Sequence, residues 1–136
     1  MAKKHRTTTV TRQQAQTYLS KALEFLLASK EAMKDGRFNS AGLLAVHSAI
    51  SSADSLLGHQ AGYRSTSPDH KVAADLLKDQ NIGSTDSSNQ IRRFERILSK
   101  KNLVQYEARK ITQKEASYLV EQAERFLDWV REVVGE

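Results

Sequence analysis

A single proline, Pro68, and six scattered glycines leave long stretches of this chain with nothing to interrupt a helix. Those stretches also carry apolar residues at helical spacing. Thr11-Arg12-Gln13-Gln14 fits a capping box, in which the threonine oxygen and the glutamine side chain satisfy the first free amides. Ala15, Tyr18, Leu19, Ala22, Leu26 and Met33 follow on one face, and Asp35-Gly36 ends that helix. A second helix, capped by Asn39 or Ser40 and closed by Gly58 and Gly62, carries Leu43, Val46, Ile50, Ala53 and Leu57. Its flank of Ala45, Ser48, Ala49 and Ser52 is small enough for close approach, which places it at the centre of a bundle.

Ser67-Pro68-Asp69 reads as the start of a short third helix running to about Gln80, with serine as cap and proline in the first turn. A polar loop over residues 81–89 leads to a fourth helix from near Ser87 through Tyr106. Thr112-Gln113-Lys114-Glu115 is a second capping box, ahead of the amphipathic run Ala116, Leu119, Val120, Ala123, Phe126, Leu127, Val130 and Val134. The expected fold is all-α, an antiparallel bundle of about five helices with no strand. Residues 1–10 read as a flexible basic arm and residues 11–136 as one domain.

At 136 residues, 39% hydrophobic and 27% charged, the chain can bury a real core. It has no cysteine, which excludes disulfides and thiolate metal sites and suits a cytoplasmic location. No segment reads as a signal peptide or membrane span. The net charge of +5 is unevenly placed: residues 1–12 hold Lys3, Lys4, Arg6 and Arg12 without an acid. A second basic segment, Arg92 to Lys110, has seven basic residues against Glu95 and Glu107. Such segments are either solvated surface or contacts for phosphate, with Arg92, Arg93, Arg96 and Lys100 as the candidates.

Familiar catalytic patterns are missing. The histidines lack HExxH spacing, the glycines form no phosphate loop, and no GxSxG elbow occurs, so no metal or cofactor is expected. The fourth helix is more informative. Ile91, Phe94, Ile97, Leu98 and Val104 share an apolar face, and Lys101 and Gln105 fall within it. Since an unpaired lysine is costly to bury, either the helix breaks near Lys101-Asn102 or that stretch lines a cleft or subunit seam. Asp54, beside the second helix's apolar stripe, needs a partner such as Lys101, Arg64 or His70. His47, on the same side, reads as a packed core histidine.

Several stretches together resemble the HEPN domains: the small-residue second helix, Arg64-Ser65-Thr66-Ser67-Pro68-Asp69-His70 leading into Ala73-Ala74-Asp75-Leu76-Leu77, Leu98 to Tyr106, and Thr112 to Trp129. The nearest pattern is a bacterial branch with RSxxxDH and a lysine five residues before a tyrosine. The resemblance implies a helical dimer whose polar residues gather at the seam: Asp54, Arg64, His70, Lys101, Gln105 and Tyr106. It further implies an RNA or nucleotide ligand, a toxin–antitoxin or defence setting, and a cognate antitoxin or nucleotidyltransferase as partner. Ribonucleases of this family carry arginine, then histidine, on a late helix. Here Lys101 and Tyr106 stand in those places, and a tyrosine with an ordinary pKa near ~10 is a poor base. The resemblance therefore implies RNA or nucleotide binding without efficient cleavage. The rivals are a metal-independent ribonuclease using Arg64 and His70, or Lys101 and Tyr106, and a purely structural dimerisation bundle. For Arg64, Asp69 and His70, capping and loop tethering is the preferred reading.

Overall fold

The computed structural model describes residues 6–83 and 86–136. Its elements are β1 (Thr7–Thr9), α1 (Arg12–Lys34), α2 (Phe38–Ala61), β2 (Tyr63–Ser65), α3 (Lys71–Asp79), α4 (Ser87–Ser99), α5 (Lys101–Gln105) and α6 (Gln113–Val134). This is an all-α bundle with a minimal two-stranded ribbon. Among the described residues, no helix is long and apolar enough to cross a membrane.

The long antiparallel pair α1 and α2 is joined by hydroxyl groups. Ser55 Oγ donates to the Ala15 carbonyl (2.8 Å), Ser48 Oγ to Ala22 (2.7 Å), and Ser29 Oγ, from the other helix, to Ala41 (2.6 Å). On each helix the three positions recur every seventh residue, which keeps them on one seam. All three serines are buried, and each bond satisfies a hydroxyl that would otherwise be costly there. α6 packs across this pair. Phe126 stacks on Phe94 of α4 at 4.9 Å between ring centroids and meets Trp129 at 5.9 Å. The core thus runs from the α1–α2 seam outward through α6 to α4.

Both capping boxes form. Thr11 pairs reciprocally with Gln14, and Thr112 with Glu115. Other boundaries differ from expectation. α2 starts at Phe38 without a side-chain cap, because Asn39 Oδ1 is engaged by the Ile111 amide (2.8 Å), tying the loop before α6 to the start of α2. Its end is Gly62, at a left-handed φ of 74°, whereas Gly58 lies inside the helix. α3 begins at Lys71 and not at Pro68. Ser67 Oγ accepts from the Asp69 amide and Asp69 Oδ1 from the Lys71 amide, so these side chains build a turn before the helix. The fourth helix breaks at Lys100, and α5 is a separate turn and a half.

No strand was expected, yet Thr7–Thr9 pairs antiparallel with Tyr63–Ser65, Thr7 opposite Ser65. Val10 is buried, and its amide donates to the Gly62 carbonyl at 2.9 Å. The part of the basic arm from Arg6 to Val10 is therefore ordered edge structure; Lys3 and Lys4 lie outside the described residues. Gly58 makes this docking possible. A Cβ there would sit 2.7 Å from Val10 Cγ1 and 2.8 Å from Ala15 Cβ.

Gly58→Ala should consequently lower the urea midpoint. Helix propensity favours alanine by about 1 kcal/mol, but overpacking of this kind costs about 1–3 kcal/mol, and Ala15 has its backbone fixed by the seam. An unchanged or raised midpoint would contradict the close packing of Val10 on α2.

Candidate functional site

The spacing that aligns the seam also organises the adjoining face. Tyr18 and Phe25 stand seven residues apart on α1, and His47 and Asp54 seven apart on α2. Because the helices are antiparallel, Phe25 falls beside His47, with ring centroids 6.2 Å apart. Tyr18 falls at the other end, under the Arg64 guanidinium, which lies 5.5 Å from its ring centroid. Arg64 comes from β2, whose pairing with β1 holds it over the end of α2.

Asp54 is partly buried, and among the described residues it makes no side-chain hydrogen bond. Desolvation pushes its carboxyl up to about 6, against the pull of the Arg64 guanidinium. Arg64 is the partner that the fold supplies for this acid. One Arg64 nitrogen donates to the Ser65 carbonyl (3.2 Å), while its buried Nε finds no partner. A guanidinium held over a tyrosine ring is a group that can take an anion.

Two turns back along α2 from Asp54, three groups lie within electrostatic reach of one another: His47, His70 and Lys101. Lys101 opens α5, which rests on α2 through Val104 against Gly42, where a Cβ would meet Val104 at 3.6 Å. His47 has a lowered pKa, first from desolvation and then from the Lys101 charge. His70 is lowered by desolvation, then by Lys101, then by His47, with Asp69 acting in the opposite sense. Each histidine thus feels the same lysine, and His70 feels His47. All three are partly exposed. The lowered pKa values favour the neutral imidazoles, which can accept a proton, near a cation able to hold a phosphoryl oxygen.

His47 is half-buried, against Phe25 on one side and under the influence of Lys101 on the other, and is not a fully packed core histidine. In sequence its only signal is that it lies seven residues before Asp54. The tethering expected of Arg64 and Asp69 forms, Arg64 through the Ser65 carbonyl and the Tyr18 ring and Asp69 through the Lys71 amide, with Ser65 and Ser67 adding turn bonds; His70 is the N-cap of α3 but makes no side-chain capping hydrogen bond. Tyr106 is 68% exposed, and its described contact is the Lys101 ammonium 5.7 Å from its ring centroid. Gln105 is exposed too, so these two stand at the rim.

The basic row on α4 stays apart. Arg93 bonds Gln90 and, across to α6, Gln122; Arg92 bonds Asn89 (3.0 Å) on its own helix. Arg96 and Lys100 are exposed. None of the four contributes to the electrostatic surroundings of His47, Asp54 or His70. Among the described residues, no three histidine or carboxylate side chains converge as metal ligands would.

A family model described as HEPN domain matches residues 15–133. That match takes in every cleft residue described above. No curated protein matches the chain.

The raised Asp54 pKa carries a definite sign. The folded state binds this proton more tightly than the unfolded chain, whose value is 3.8. The associated stability is complete below pH 4 and is lost as pH rises to about 6, leaving a desolvated carboxylate above it. At 1.36 kcal/mol per pKa unit, the rise from 3.8 to about 6 corresponds to a cost of about 3 kcal/mol. Asp54→Asn should therefore be more stable than the native chain at pH 8, with the gap closing near pH 4. Denaturant melts at both pH values check this, and an equally destabilised variant at both would contradict it.

Proposed function

The chain belongs to the HEPN family, and from that premise we propose that it is an RNA-binding HEPN domain whose cleft holds a phosphodiester. The observation that carries this reading is the convergence of His47, His70 and Lys101 from three separate elements, with Arg64 and Asp54 further along α2. Lys101, beside His47, and Arg64, beside Asp54, supply two cations over one side of α2, each able to hold a phosphate of a bound strand. The aromatic faces of Tyr106, at the rim, and Tyr18, beneath Arg64, are of the kind on which bases or guanidinium groups stack. The biological setting that fits is a toxin–antitoxin or defence module, with a homodimer as the working assembly and an antitoxin or nucleotidyltransferase as partner.

A second reading, metal-independent cleavage, is favoured by one specific feature. Tyr106 is a poor base, but two imidazoles stand next to Lys101 instead. One would take the 2′-hydroxyl proton as that oxygen attacks phosphorus. The other, protonated, would give its proton to the departing 5′-oxygen, leaving a 2′,3′-cyclic phosphate. Because both pKa values are lowered, such a reaction would run fastest on the acid side of neutrality.

Labelled tRNA and mixed cellular RNA, incubated with nuclease-free protein in EDTA, separate these readings. Binding predicts intact RNA and a retarded band that weakens with salt, log Kd rising by roughly 0.7 per phosphate contact per log unit of salt. Lys101→Ala with Arg64→Ala should weaken the band at least about tenfold, the equivalent of ~1.4 kcal/mol. Cyclic-phosphate products abolished by His70→Ala or His47→Ala would establish the second reading. RNA neither retarded nor cut would overturn both.

A further inference from the structure

A cavity of about 300 Å³, lined by none of His47, Asp54, Arg64, His70 or Lys101, opens between α5 and the first turns of α6. Its floor is apolar: Leu103 of α5, Ile111 of the preceding loop, and Tyr118 and Leu119 of α6. Tyr118 is 36% exposed although its neighbour Leu119 is fully buried, so an aromatic ring faces solvent where the core ends. Two lysines, Lys100 and Lys114, stand at the mouth. Neither makes a side-chain hydrogen bond or ion pair among the described residues. The one acid lining the cavity, Glu115, is already spent. Arg109 grips both its oxygens at 2.9 and 2.7 Å, and the Thr112 amide donates to it at 3.0 Å. Its carboxyl is accordingly held down at about 2.

Two unpaired cations over an apolar floor, with the local acid neutralised, complement a molecule built the opposite way. We propose that this cavity binds a small anionic amphiphile, with an alkyl or aryl body against Leu103, Tyr118 and Leu119 and a carboxylate, sulfonate or phosphate head between Lys100 and Lys114. The volume is at the lower end of small-molecule sites, roughly 300–1,000 Å³, which sets the body at no more than two small ring systems or a short chain. The site is separate from the RNA cleft and stands whether or not RNA binds there. An occupant would bridge α5, which has no buried residue of its own, to the rigid α6.

The test uses 8-anilinonaphthalene-1-sulfonate as the anionic probe and N-phenyl-1-naphthylamine as its neutral counterpart, followed by fluorescence and calorimetry. One saturable site per chain is expected, with displacement by decanoate and none by AMP, whose base is polar. Lys100→Gln with Lys114→Gln should weaken the sulfonate about tenfold or more, as loss of charge-assisted contacts does, and leave the neutral probe nearly unchanged. Leu103→Glu, placing a carboxylate at the floor's edge, should abolish binding of both while circular dichroism stays native. Non-saturable binding, binding indifferent to these variants, or displacement by AMP but not decanoate would overturn the proposal. So would a dimer that Leu103→Glu dissociates, with the probe entering only the monomer, since the cavity would then be covered by a second copy.

Discussion

The structure depends on the seam between α1 and α2, where three serine hydroxyls reach across to carbonyls of the opposite helix. Alanine and serine bring the two backbones close enough for those bonds, and the bonds in turn admit only one alignment. A slide of one residue would leave three buried hydroxyls without partners, at roughly 1–3 kcal/mol each. A stripe of leucines would give more apolar burial but far less discrimination between alignments. Gly58 extends the close approach to the end of α2, where Val10 enters and brings β1 against β2.

The face that carries the candidate site inherits that alignment. Once Ala22 faces Ser48, Phe25 must stand beside His47, and Tyr18 must lie near the end of α2 that carries Asp54. β2 then needs only a short glycine turn to lay Arg64 on Tyr18. Tyr63 of β2, in turn, receives a hydrogen bond from Gln80 at the end of α3 (2.9 Å), which fixes the loop that presents His70. The face that results is electrostatically uneconomical. Asp54 is desolvated with only Arg64 for company, and two imidazoles are crowded by a lysine. Costs of this kind concentrate where ligands supply the missing charge.

How much of this was legible in sequence depended on the range of each interaction. The capping boxes at Thr11 and Thr112 close within four residues, and both could be read directly. Asn39 looked like a cap for the same local reason, but its acceptor is taken by Ile111, far along the chain, which no short window contains. β1 was hidden because three threonines in a row give no alternation, and their partner strand lies beyond two helices. The lysine on the apolar face of the fourth helix was a true signal. It left open a break or a cleft: the helix breaks at Lys100, and the Lys101 charge acts on His47 and His70. The surroundings of His47 could not be read from its own helix, because Lys101 and His70 come from elements 23 and more residues away.

The central claim is that α2, the loop before α3 and α5 deliver His47, His70 and Lys101 to one site. Nuclear magnetic resonance titration of the histidine ring protons, in the native chain and in Lys101→Met, tests it most directly. The account predicts that His47 and His70 both titrate below the ordinary value of 6.5 and that both rise when the lysine charge is removed. Two histidines that ignore the substitution would mean that Lys101 lies elsewhere and that no such site exists.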